Sequence, residues 1–440
     1  MSSVVMERSV PVSLAPAVKE RMEEFVAGVA LASMNHPAQR ENAERYVRGL
    51  LAAGPRKSLE PLVERLGGEG DYQSLQQFLA DSPWDAQRVI QAVVERVAPV
   101  LDVQAWVLDD TGFPKDGKHS PGVKRQYSGT LGKVGNCQIG VSVHAVSETG
   151  TLPLGWALYL PEDWCEDPER RRKAKIPEAV VFHTKPELGV ALIERAAGFQ
   201  IERAPVLGDA AYGDNTGLRT ALESGGIEYV LSISPDVAVF ESDTAFEVPA
   251  RRAGSRGPAP STPRPDREAV SVEHLARSLG EDDFHTVTFR GKGKTRVRSR
   301  FAFQRVTAGH PVIRDNEPPR EEWIIIEWPA GRDAPSDYWI SNLPAKTKPE
   351  RLARLARLRW MIELDYRQLK GELGLDHYEG RSYLGWQHHT ALVTTAHAFL
   401  TLERQNPKAQ RRASHFPKRS AYSSPSSTAG PDTATHATSQ

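Results

Sequence analysis

Cysteine is nearly absent: Cys137 and Cys165 are the only two in 440 residues. Two are too few for a disulfide framework or a cysteine-based zinc site. No run of 18 apolar residues occurs, so a membrane-spanning helix is not expected. The N-terminus has no charged-then-apolar segment, so no signal peptide is expected and the cytoplasm is the default location. Net charge is missing too, with 56 Lys+Arg against 56 Asp+Glu. That balance disfavours a protein that simply coats a polyanion.

The balance hides local asymmetry. Residues 1–104 hold 11 Lys/Arg and 14 Asp/Glu, whereas residues 250–300 hold 12 and 6. Arg404, Lys408, Arg411, Arg412, Lys418 and Arg419 form a basic run with no acid between them. Local basic patches on a neutral chain suit selective contacts to nucleic acid. A hydrophobic content of 39% can fill real cores, and the length implies two or three domains.

Residues 1–16 read as a disordered N-terminus. Apolar steps of three and four, as in Val18, Met22, Phe25, Val26 and Val29, make residues 17–100 a helical domain. Within it, Asp81-Ser82-Pro83-Trp84-Asp85 reads as a stop followed by a new helix cap. The period changes after Gln104. Ala105-Trp106-Val107-Leu108 reads as a buried strand ending at Asp109-Asp110, and Ala204 to Leu207 as another ending at Gly208-Asp209. Strands alternating with helices make residues 101–249 the first part of an α/β core.

Residues 250–345 follow as a β-rich insertion that begins with a basic Pro/Gly linker. A Gly-Lys-Gly-Lys turn at 291–294 marks a hairpin within it. Residues 346–404 return to the core with one helix from Lys348 to about Leu373 and a second over 383–404. Residues 405–440 form a basic and then Ser/Thr/Pro-rich disordered tail.

One helix carries the strongest chemistry. Arg359, Glu363 and Lys370 stand at i, i+4 and i+11, on one helical face. By itself that spacing also describes a solvated ion-pair ladder. Asp109 and Asp209 add two carboxylates at strand ends, where α/β sheets place their ligands; a lone Asp there is more often a turn or cap residue. Three carboxylates without a Cys/His cluster match hard, oxygen-seeking Mg²⁺ or Mn²⁺. Two such ions suit phosphoryl transfer. His388, His389 and His397 lack a carboxylate or Cys at ligand spacing along their helix and read as structural.

With these residues together, the sequence resembles the DDE transposases of bacterial insertion sequences, in the branch with a Tyr-x2-Arg-x3-Glu-x6-Lys signature. Arg359, Glu363 and Lys370 match its last three elements, while Ala356 stands at the Tyr position. Asp109-Asp110-Thr111 matches the first acidic motif, with Asp109 preferred over Asp110, and Gly208-Asp209-Ala210-Ala211-Tyr212 matches the second. The resemblance implies an RNase H-like (retroviral-integrase-like) mixed-sheet core with an inserted β-rich domain and an N-terminal helical domain; that helical module either grips DNA, against its acidic balance, or is a packed bundle with no ligand. It implies cut-and-paste transposition, in which water attacks a phosphodiester at the transposon end and the freed 3′-hydroxyl then attacks DNA. Asp109, Asp209 and Glu363 would hold two Mg²⁺ or Mn²⁺ ions. Arg359 and Lys370 would grip phosphates, Tyr366 would compensate for Ala356, and Arg367 would join them. The implied partner is double-stranded DNA, bound by a homodimer at synapsis and so beside the nucleoid.

Further DNA contacts are expected from Lys115, Lys118, His119, Lys124, Arg125 and Lys133, or these line a solvated loop. Arg296, Arg298 and Arg300 alternate along a strand and share a sheet face, where a polyanion would relieve their repulsion. Trp339 stands where some members of the branch stack a flipped base; a buried strand Trp is the other reading. Two competing functions remain open. A transposase-derived DNA-binding protein would keep the fold without catalysis. A two-carboxylate hydrolase would work without divalent metal, but leaves the Arg-Glu-Lys spacing unexplained.

Overall fold

A computed structural model of the chain describes residues 15–250, 262–290, 296–309 and 320–405. The N-terminal residues 1–14, most of the Pro/Gly linker, the Gly-Lys-Gly-Lys turn and the tail from Asn406 lie outside the described residues.

Five helices come first: α1 (Pro16–Ala30), α2 (Pro37–Leu51), α3 (Leu59–Arg65), α4 (Tyr72–Ala80) and α5 (Ala86–Val97). Asp85 caps α5 by accepting from the amides of Gln87 and Arg88 at 2.8 and 3.4 Å. Such a cap satisfies amides that no helical turn can reach. The apolar stripe of α5, Val89, Ile90, Val93, Val94 and Val97, is wholly buried.

A mixed sheet follows, with β1 (Ala105–Pro114), β2 (Lys124–Ser128), β3 (Lys133–Val146), β4 (Thr151–Tyr159), β5 (Val206–Gly208), β6 (Tyr229–Ile233) and β7 (Ala238–Glu241). Helices α6 (Lys185–Ala197) and α7 (Thr216–Ser224) flank β5 in the chain. Then come β8 (His285–Arg290), β9 (Arg296–Ala308), β10 (Glu321–Trp328) and β11 (Asp337–Ser341), followed by α8 (Pro349–Leu358), α9 (Met361–Gly371) and α10 (Tyr383–Gln405).

Across the sheet the strands run β7-β9-β10-β11-β6-β5-β1-β3-β2, with β8 against β9 and β4 against β3. β1 pairs parallel with β5, and β5 parallel with β6. β3 is antiparallel to both β1 and β4. The strands of residues 285–341 continue the same sheet, because β11 pairs antiparallel with β6.

Two element bounds differ from the sequence expectation. β1 does not stop at Asp109-Asp110 but runs to Pro114, because β3 stays paired with it as far as Cys137. Its β5 side is paired only at Trp106 and Val107, so the sheet opens at Leu108 on that side. The helix expected from Lys348 to Leu373 is two helices. At the junction, the amides of Ile362 and Glu363 bond three residues back, to Arg359 and Trp360, tightening one turn.

Helix α10 joins the N-terminal helices to the sheet. The buried His388 bonds the carbonyls of Leu79 and Trp84, each at 2.8 Å, and stacks on the Trp84 ring at 3.7 Å. His389 meets the Tyr46 hydroxyl at 2.9 Å. Burial lowers the pKa of both imidazoles, and their polar contacts tie α10 to the N-terminal helices. One apolar cluster runs without interruption from Phe25 and Val93 to Trp156 and Phe399.

Replacing His388 with Ala strands two buried carbonyls and opens a cavity beside Trp84. A loss of about 3 kcal/mol is expected, read as a lower urea midpoint; an unchanged midpoint would contradict this account of the α10 contact.

Candidate active site

The opening in the sheet beside Leu108 collects the acidic groups. Asp109 is the next residue of β1. Asp209 follows β5 directly and caps the short helix Ala210–Gly213, accepting from the Ala211 amide at 3.0 Å. Glu363 arrives on the first turn of α9, which packs on β1, β3 and β4. Arg359, at the α8–α9 junction, joins them. Its guanidinium lies 3.2 Å from Asp109 Oδ2 and 3.7 Å from Glu363 Oε1.

The electrostatics follow from crowding and burial. Burial pushes the Asp109 carboxyl up to about 7; Arg359 pulls against this, and the neighbouring charge of Asp209 adds to it. Asp209 is raised by burial and by Asp110, with Arg359 again opposing. Like charges in a desolvated gap favour the protonated form unless a cation relieves them. Asp110 is engaged elsewhere: its Oδ2 takes a 3.0 Å ion pair from Lys185 and a 3.4 Å hydrogen bond from the Tyr212 hydroxyl. No local sequence pattern links Lys185 to this position.

Lys370 reaches back across the site. Its ammonium donates to the Gly112 carbonyl at 2.7 Å and to Thr130 Oγ1 at 3.1 Å. Burial lowers its pKa to about 8. Gly112 permits this close packing, since a Cβ there would lie 1.9 Å from Ser128 Oγ.

The other expected contacts scatter more widely. Lys115 is largely enclosed, bonds the Tyr378 carbonyl and is lowered by burial to about 8. Lys124 pairs with Asp163 at 3.1 Å. Lys118, His119, Arg125, Lys133 and Arg367 are exposed. Arg296 and Arg298 are exposed on β9, while Arg300 stacks over Trp328 at 4.0 Å. Trp339 is 5% exposed and packs among apolar side chains. Tyr366 turns its hydroxyl inward to Ser142 Oγ at 2.7 Å. Ala356 faces the same apolar cluster as Leu352 and Ile362.

Sequence reasoning missed a buried polar group behind Glu363. Asp365 is flanked by His144 and His397, both fully enclosed. Burial pushes the Asp365 carboxyl up, but the two imidazoles outweigh it and hold it well below the usual carboxylate range. His397 therefore does meet a carboxylate, one that comes from α9 rather than from its own helix.

The chain belongs to the DDE superfamily endonucleases, whose family model matches residues 30–296. That span contains Asp109 and Asp209 and ends before Glu363. A curated relative, the probable transposase for insertion sequence element IS701 of Microchaete diplosiphon, is 30% identical over 188 residues. The match covers 42% of this chain and 46% of that protein, so the chain spans about half the length of this relative. The cryo-EM structure of a piggyBac transposase synaptic complex with hairpin DNA aligns over 92% of this chain and 80% of that one. At 8% identity and a TM-score of 0.38, this likeness is too distant to assign shared strands or residues.

Carboxylate oxygens are the donor type a hard divalent cation prefers. Asp109 and Asp209 are crowded acids whose raised pKa values a dication would reverse. Among the described residues, no group of three or more His, Cys, Asp or Glu side chains is placed to hold a metal ion in this arrangement. The Arg359 guanidinium lies between Asp109 and Glu363, and the Glu363 side chain is 65% exposed.

The raised Asp109 pKa has a consequence for stability without divalent ions. The folded state holds its proton more tightly than the unfolded chain, so Asp109 favours folding at low pH. That contribution is lost as pH rises through about 7. Metal-free Asp109→Asn should therefore melt higher than the parent at pH 8, with a difference that shrinks toward pH 5. A variant melting below the parent at pH 8 would contradict the burial argument.

Proposed function

We propose that this chain is a DDE transposase that cuts and joins DNA at the ends of an insertion sequence. The carrying observation is the meeting of Asp109 and Glu363, far apart in sequence, on the single guanidinium of Arg359, with Asp209 beside them. The strand order β4-β3-β1-β5-β6, two antiparallel pairings and then two parallel ones, supports an RNase H-like core. In this reading the N-terminal helices grip DNA and residues 250–345 are an insertion into the core.

Asp109, Asp209 and Glu363 would hold two Mg²⁺ or Mn²⁺ ions, which supply water activation and offset charge on the scissile phosphate. Asp110 is assigned a supporting role through Lys185 and Tyr212. Arg359 has to leave Asp109 when the carboxylates take up cations, and a DNA phosphate is the natural next partner for its planar fork. Lys370 would trade the Gly112 carbonyl for a phosphate, which gives a stronger, charge-assisted bond. Positioning and electrostatics are most of what phosphoryl transfer asks of a protein. Exposed Lys118, Arg125, Arg296 and Arg298 would follow the duplex backbone, with a homodimer bringing two ends together.

The test is strand cleavage of a labelled duplex carrying the element's own end, with Mg²⁺ or Mn²⁺, with EDTA, and with Glu363→Ala in parallel. Nicking at the end, lost in EDTA and reduced on the order of 1,000-fold in Glu363→Ala while DNA binding persists, is the expected result. Binding without cleavage by the unmutated protein would assign the chain instead to a DNA-binding derivative. Cleavage that persists in EDTA would reject the metal-dependent mechanism.

A further inference from the structure

Behind Glu363, the inner face of α9 is polar where an apolar face would be cheaper to bury. Glu363 and Asp365 stand two residues apart, on roughly opposite sides of the helix. Glu363 faces outward, and Asp365 is 2% exposed. A buried carboxylate is tolerated only when its oxygens are fully engaged.

Its partners come from three other elements. Thr151 Oγ1, on β4, donates to Asp365 Oδ1 at 2.7 Å. His397 Nε2, on α10, lies 2.7 Å from the same oxygen. His144 Nδ1, on β3, bonds Oδ2. The His144 Nε2 atom then meets Ser142 Oγ at 2.9 Å, and Ser142 Oγ meets the Tyr366 hydroxyl at 2.7 Å.

The array closes on itself, since Tyr366 follows Asp365 on α9 and Ser142 and His144 share one face of β3. It also touches the site, because Ser142 is the cross-strand partner of Asp109 in the β1–β3 register. The negative charge of Asp109 is felt at the Tyr366 hydroxyl.

We propose that Asp365, His144, Ser142 and Tyr366 form a positioning array that fixes the rotation of α9 about its axis and so the placement of Glu363 relative to Asp109. This rests on reading Asp109 and Glu363 as the catalytic carboxylates. Apolar contacts alone let a helix roll, because dispersion is non-directional. A carboxylate hydrogen-bonded from β4 and β3, with His397 of α10 in ion-pair range, resists that roll. A misplacement of about 1 Å at a reacting centre costs on the order of 100-fold in rate, so small rotations of α9 matter.

The test uses Tyr366→Phe and Ser142→Ala, which delete one oxygen each and keep the packing, and Asp365→Asn beside Asp365→Leu. Melting temperature, DNA affinity, Mn²⁺ affinity by calorimetry, and kcat and KM for end cleavage are measured on the full chain. Tyr366→Phe and Ser142→Ala should melt near the parent and bind DNA within about twofold. They should lose about tenfold or more in kcat at unchanged KM, with weaker Mn²⁺ binding. Asp365→Asn, which retains one acceptor oxygen, should recover part of the function that Asp365→Leu loses.

Unchanged kcat and Mn²⁺ affinity in both single-oxygen variants would overturn the proposal. So would losses in the two Asp365 variants that simply track melting temperature. Glu363→Gln separates the two layers. If it leaves Mn²⁺ affinity intact, the carboxylate reading fails and takes the array's role with it. If it abolishes Mn²⁺ binding while Tyr366→Phe is silent, only the array fails.

Discussion

Two carboxylates forced into one desolvated gap are the constraint around which the rest of this molecule is arranged. Asp109 and Asp209 meet where the parallel pairing of β1 and β5 ends, and burial raises both. Burial disfavours the charged form of each, and a nearby cation offsets part of that cost. Arg359 supplies one from the α8–α9 junction, and the same guanidinium draws in Glu363. The tightened turn between α8 and α9 thus has a physical role: it sets the base of the arginine beside the sheet opening while α9 departs with its glutamate.

The surroundings hold that arrangement still. Lys370 ties the far end of α9 to Gly112 of β1 and to Thr130 in the β2–β3 turn. Lys185 and Tyr212 engage the Asp110 carboxylate, whose charge is still felt by Asp109 and Asp209. The bonds of α9 and α10 to β3 and β4 make the helix one body with the sheet, and His388 and His389 extend that body to the N-terminal helices. Among the described residues, Arg359, Lys370 and Lys185 each already have a protein partner in this arrangement.

Much of this was legible in the sequence because its causes are local. The change from a helical to a strand period after Gln104, the cap at Asp85 and the apolar spacing of α10 depend on neighbours a few residues away. The mixed α/β character follows from them. The members of the candidate site were named from spacing, with Arg359, Glu363 and Lys370 on one run and each Asp beside a buried strand. What stayed hidden depends on partners distant in the chain. β1 continues past its carboxylates because β3 pairs with it to Cys137. His397 finds its carboxylate on another helix, and Tyr366 turns toward Ser142 because β3 passes beneath it. Ala356 falls on the buried face of α8, where packing rather than phosphate decides what fits.

Divalent-cation binding to the full chain, followed by calorimetry with Mn²⁺ at pH 7.5, is the most direct measurement of the central claim. The account predicts saturable binding that is lost in Asp109→Asn, Asp209→Asn and Glu363→Gln and largely kept in Asp110→Asn. Binding that survives in the first three variants, or that fails only in Asp110→Asn, would contradict the assignment of these carboxylates as one site.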